Sequence, residues 1–174
     1  LYELLRRRVH LILAADGNLR SGSSLDELAK AVERARVDFG IEIEFDDPRF
    51  GLEGLAPCDH ATAERGFAVA RILYPTRGEH PRAGGAPRGK GPAEGRLIYL
   101  KATLVDGLPP DVRTCLEATA DEGLPARWSI SAEAAFEAFR TLGYHIAEAA
   151  SRQTAPLEPE AAAANAEGET PAAP

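Results

Sequence analysis

The sequence predicts an α/β domain with a β-hairpin extension and a disordered acidic tail, and three patterns carry that expectation. An amphipathic, cap-flanked stretch from Leu25 to Phe39 stands between two short apolar runs, which is a strand–helix–strand arrangement. Two further apolar runs, Phe67 to Tyr74 and Leu97 to Leu104, flank a Gly/Pro-rich segment and read as neighbouring antiparallel strands. From Thr154 the composition changes to eight alanines, four prolines and four glutamates with no Lys or Arg. Such a segment has too little to bury to offset the entropy of ordering.

Taken in chain order, Leu1, Leu4, Leu5 and Val9 recur at helical spacing, and Arg6, Arg7 and Arg8 stand where cations offset the negative pole of a helix end. Val9 to Ala15 (V-H-L-I-L-A-A) is almost continuously apolar and stops at Asp16-Gly17-Asn18, so it is expected as a strand buried on both faces and followed by a turn. Ser24-Leu25-Asp26-Glu27 matches a reciprocal capping box. Leu25, Leu28, Val32, Ala35 and Phe39 share one face of the helix that follows, Glu27, Lys30, Glu33 and Arg34 the other, and Gly40 supplies the stop. Ile41 to Phe45 alternates with period two, the mark of a strand with one buried face, and Asp46-Asp47-Pro48 ends it.

The segment from Thr76 to Gly95 holds six glycines and three prolines and is expected as a mobile loop. Pro109-Pro110 opens a short helix over Asp111 to Ala120, because a first turn does not need the missing N–H. Ser131 and Glu133 start the last helix. Ala135, Phe139, Leu142, Ile146 and Ala149 line its inner face, and Phe136 and Tyr144 broaden the contact. The domain is therefore drawn as residues 1–150, with the tail as 151–174.

Composition excludes several function classes. The 174 residues suit one compact domain. A net charge of −7 disfavours nucleic acid as a partner, since phosphate binding needs clustered excess cations. Hydrophobic residues at 44% exclude wholesale disorder, and no apolar run approaches the 18 or so residues of a membrane span. The two cysteines, Cys58 and Cys115, make neither a zinc cluster nor a disulfide scaffold. The absence of methionine, with a helix interior at Leu1, predicts that the chain begins inside a longer protein or after a processing event.

Candidate chemistry is sparse. The Gly-x-Ser-x-Gly turn of an α/β serine hydrolase is absent; Gly22-Ser23-Ser24-Leu25-Asp26 lacks its last glycine, and Ser24 serves better as a cap. Gly89-Lys90-Gly91-Pro92-Ala93-Glu94-Gly95 is one residue too long for a Gly-x-Gly-x-x-Gly cradle, and Pro92 removes a donor. Asp16, an acid at a strand end, stands where α/β proteins place catalytic or ligand groups, although Asp-Gly is also an ordinary turn dipeptide. Cys58-Asp59-His60 names a thiol and a base, but adjacent residues of an extended loop point apart. Cys115 reads as a small packed group, and His10, His80 and His145 lack ligand spacing, so no metal or other cofactor is expected. Arg77, Arg82, Arg88 and Lys90 make the glycine loop locally basic; contact with anionic lipid headgroups stands against a plain solvated loop, with Glu79 and Glu94 diluting the charge.

Leu1-Tyr2-Glu3-Leu4-Leu5-Arg6-Arg7-Arg8, then Leu11-Ile12-Leu13 with Asp16, then Ala35-Arg36-Val37-Asp38-Phe39-Gly40-Ile41-Glu42-Ile43-Glu44 resemble the C-terminal part of bacterial patatin-like phospholipases. The likeness continues through Gly66 to Ile72 with Tyr74-Pro75, Leu97 to Ala102, Pro110-Asp111-Val112 and Phe136 to Gly143, over most of residues 1–146. The loop from Thr76 to Gly95 is longer than the family's tight connection, and Leu124 to Ile130 lacks its usual His- and Asp-containing stretch.

The resemblance implies a parent enzyme that hydrolyses acyl esters of phospholipids or related lipids with a serine and aspartate dyad. Its Gly-x-Ser-x-Gly and Asp-Gly-Gly motifs would lie ahead of Leu1, so Asp16 is implied to be noncatalytic and no catalytic residue is expected here. It further implies an acyl-lipid substrate reached through the missing part, membrane-surface association, and a bacterial cytoplasmic or membrane-associated location. The alternative is a noncatalytic interaction module whose working parts are the tail, the loop and a strand edge.

Overall fold

A computed structural model of the chain describes residues 1–19, 25–57, 62–75, 93–121 and 133–154. The protein is an α/β fold built on a mixed four-stranded sheet. Helix α1 (Tyr2–Arg6) leads into strand β1 (Leu11–Asp16); α2 (Asp26–Phe39) follows, then β2 (Glu42–Glu44), a 3-10 turn at Leu52–Leu55, β3 (Phe67–Leu73), β4 (Glu94–Lys101), α3 (Pro110–Asp121) and α4 (Glu133–Thr154). The strand order is β1-β4-β3-β2. β4 is antiparallel to β3, as the sequence predicts for that pair, and parallel to β1; β3 is antiparallel to β2.

Because side chains alternate along a strand, the register sorts the sheet into two faces. One carries Ile12, Ala14, Ala68, Ala70, Ile72, Leu97 and Tyr99, and joins Leu5 of α1 with Leu28 and Ala35 of α2 in one core cluster. The other carries Phe67 and Val69, which join Leu116 of α3 with Ala138, Leu142, Ile146 and Ala150 of α4 in a second. The sheet is thus sandwiched, with α1 and α2 on one side and α3 and α4 on the other.

Several elements differ from expectation for identifiable reasons. α1 stops at Arg6 rather than Arg8; Arg8 takes φ 55°, its guanidinium donates to the Pro75 carbonyl (3.0 Å) and lies over the Tyr74 ring, and the Tyr74 hydroxyl donates to the Val9 carbonyl (2.7 Å). This knot turns the chain from α1 into β1. β1 is not buried on both faces: it is an edge strand, with Leu11 54% and Leu13 63% exposed.

The capping box rests on a residue whose structure is not described. Ser24 lies outside the described residues, Leu25 occupies the cap position without a side-chain cap, and Glu27 accepts instead from Lys30 at 2.9 Å. The helix itself follows its predicted faces, and Gly40 ends it in the left-handed conformation (φ 64°). β4 begins three residues before the predicted Leu97, because Glu94 and Gly95 extend the ladder to Leu73 and Ile72. The remainder of the expected loop, residues 76–92, lies outside the described residues.

On α4 the buried ridge is Ala138, Leu142, Ile146, Ala150 and Thr154, an unbroken i, i+4 row. Phe136 and Tyr144 do not broaden it; they are 51% and 67% exposed. α4 also continues through residues 151–154, past the boundary drawn at 150, since Thr154 is buried and its hydroxyl donates to the Ala150 carbonyl. The expected tail beyond it, residues 155–174, lies outside the described residues.

Candidate functional site

The C-terminal ends of β1 and β4 meet in a network of interior charge and hydroxyl. Their parallel register sets Ala14 beside Tyr99 and Asp16 beside Lys101, so three polar side chains fall on the face that α1 and α2 cover. Asp16 Oδ2 accepts from the Tyr99 hydroxyl (2.8 Å) and from Lys101 Nζ (3.0 Å), while Oδ1 accepts from the Asn18 backbone N–H (2.9 Å). Lys101 Nζ also donates to the Asn18 carbonyl, and the Ala102 N–H donates to the Asp16 carbonyl (2.8 Å). The Lys101 side chain is 3% exposed and that of Asp16 is 22% exposed, so the pair is desolvated from the lysine side.

The electrostatics follow from this packing. Burial alone pushes the Asp16 carboxyl up, but the Asn18 N–H, the Tyr99 hydroxyl and Lys101 together outweigh it and hold the group below its ordinary value. Tyr99 moves well above its ordinary value, first through burial and then because ionisation would set two anions side by side. At neutral pH the site therefore sets a carboxylate, with a hydrogen bond to each oxygen, against a neutral phenol and the Lys101 amine. A general base works best with a pKa near the working pH, and the partners of Asp16 hold its carboxyl below its ordinary value instead. What the arrangement does is clamp: it fixes the turn after β1 to the end of β4.

The structure thus keeps Asp16 and gives it partners that sequence reasoning passed over. Tyr99 and Lys101 lie 83 and 85 positions away. One signal was available: in L-I-Y-L-K the lysine falls on the same face as Leu97 and Tyr99, and a cation there demands a counter-charge. The other candidates do not gather here. His10 is exposed ahead of β1, His145 is half-buried on α4 beside Gly107, and Cys115 is half-buried on α3 against the second core cluster.

Cys58-Asp59-His60, His80, Ser24 and the basic positions Arg77, Arg82, Arg88 and Lys90 lie outside the described residues. Among the described residues, no group of three or more His, Cys, Asp and Glu could hold a metal ion, and no helix is long and apolar enough to cross a membrane. Comparison with family models, curated proteins and solved structures finds no match.

Proposed function

We propose that the chain is the C-terminal scaffold of a patatin-like lipid acyl hydrolase, with the serine and aspartate dyad on polypeptide ahead of Leu1. What supports the reading is the resemblance itself, and several of the residues that carry it hold buried or tightly packed positions, while Leu4, Leu11, Leu13, Val37 and Phe136 are exposed. Ala35 and Ile41 are 0% and 2% exposed, on either side of the left-handed turn at Gly40. Gly66 lies against Ile146 so closely that a Cβ would come within 2.5 Å of its side chain. Leu97 is fully buried in the core, and Tyr99 and Lys101 form the clamp on Asp16.

In this reading Asp16 holds a strand end and takes no part in the reaction. The chain braces a sheet on which another segment presents the nucleophile, its base and the oxyanion donors. The substrate class is an acyl ester of a phospholipid or related lipid, met at a membrane surface. The test is an esterase assay with short acyl esters on this chain and on the longer natural product. The longer product should turn over, with activity lost when the serine of its Gly-x-Ser-x-Gly motif is replaced, and the 174-residue chain should be inert. Turnover by this chain that disappears in Asp16→Asn, or a folded but inert longer product, would overturn it.

A further inference from the structure

We infer that the outer edge of β1 receives a parallel strand, joined through α1 as its crossover helix. The inference rests on the reading above in one respect only, that polypeptide precedes Leu1. The two edges of the sheet are built differently. β2 is three residues long, carries Glu42 and Glu44, is tied by the Arg71–Glu44 ion pair and runs into Asp46, Asp47 and Pro48. Those are the devices that keep an edge from pairing. β1 is six residues long, and Leu11 to Ala15 contains no charge, proline or glycine.

The carbonyls of His10 and Asp16 accept from the Arg96 and Ala102 N–H groups, so the even-numbered positions of β1 turn their backbone toward β4. In a parallel ladder the N–H and C=O of Leu11, Leu13 and Ala15 then turn outward. No described strand takes them up.

Chain handedness says which partner fits. β1 is parallel to β4, β4 antiparallel to β3 and β3 antiparallel to β2, so β1 and β2 run in one direction with α2 as the crossover between them. α1 packs in the same core cluster as α2, on the same face of the sheet. Parallel crossovers are right-handed almost without exception. Two successive crossovers of one hand over one face step in one direction across a sheet. The step from β1 to β2 passes inward over β4 and β3, so the strand that enters α1 must lie on the other side of β1, at the open edge. The occupant is a parallel strand with apolar residues on the side of Leu11 and Leu13.

Amide hydrogen exchange followed by NMR on this chain and on the longer natural product tests the assignment. In the 174-residue chain the amides of Leu11, Leu13 and Ala15 should exchange close to unprotected rates, while Ile12 and Ala14 are protected. In the longer product the three odd-numbered amides should slow by about a hundredfold or more. Fast exchange there overturns the inference. So does protection in the short chain, whether it rises with concentration, which would put a second copy on the edge, or is constant, which would put another part of this chain there. Should the short chain give unresolved spectra, the longer product decides alone. An esterase assay on the same sample separates the two claims: activity with unprotected amides sinks only this one, and protection without activity sinks only the acyl-hydrolase reading.

Discussion

At Asp16 a carboxylate, a phenol and an ammonium share one small volume, and the two charged partners are not equally replaceable. Asp16→Asn leaves Lys101, 3% exposed, without a counter-ion and should destabilise by about 3–5 kcal/mol in urea unfolding. Lys101→Met leaves Asp16 with the Asn18 N–H, the Tyr99 hydroxyl and some water, so it should cost about 1–3 kcal/mol. The double variant should cost less than the two added together, because each single change strands the other's partner. The pH dependence has a definite sign. A carboxyl held low in the folded state contributes stability above its unfolded value of about 4, and that contribution fades as the pH falls through the lower folded value. The gap between wild type and Asp16→Asn should therefore be constant near neutrality and close in acid below about pH 4. A gap that widened in acid would contradict the clamp.

Within the elements, two glycines give opposite expectations. Gly143 sits on α4, and a Cβ added there would meet nothing within 4 Å, so Gly143→Ala should stabilise by about 0.5–1 kcal/mol in thermal unfolding. A Cβ added at Gly66 would come 2.5 Å from the Ile146 side chain, so Gly66→Ala should destabilise by about 1–3 kcal/mol and be partly relieved by Ile146→Val. Periodicity made α2 and the period-two run before Asp46 legible, because their burial follows local sequence. It could not place β1. An apolar run reads alike whether a strand is central or at an edge, and which it is depends on β4, far along the chain. The clamp was half legible for the same reason: Asp16 announces itself at a strand end, whereas Tyr99 and Lys101 become its partners only through the parallel register. On α4 the surplus of apolar residues hid the phase of the buried ridge, and the i, i+4 row from Ala138 to Thr154 excludes Phe136 and Tyr144.

Across the whole molecule, coverage of the sheet is lopsided. α1 and α2 cover one face, α3 and α4 cover β3 and β4 on the other, and Leu11 and Leu13 of β1 remain in water on that second side. Two leucines more than half exposed on one strand edge form an apolar patch where a dye that fluoresces in nonpolar surroundings should bind. Because these side chains give up little water on folding, the double replacement Leu11→Thr with Leu13→Thr should lower dye fluorescence severalfold and change stability by no more than about 0.5 kcal/mol. The threonines keep the strand propensity, which separates loss of apolar surface from loss of β1 itself. A large drop in stability would mean that the two leucines are buried in solution. The sheet would then already be complete on that side, and no further strand would be needed to finish it.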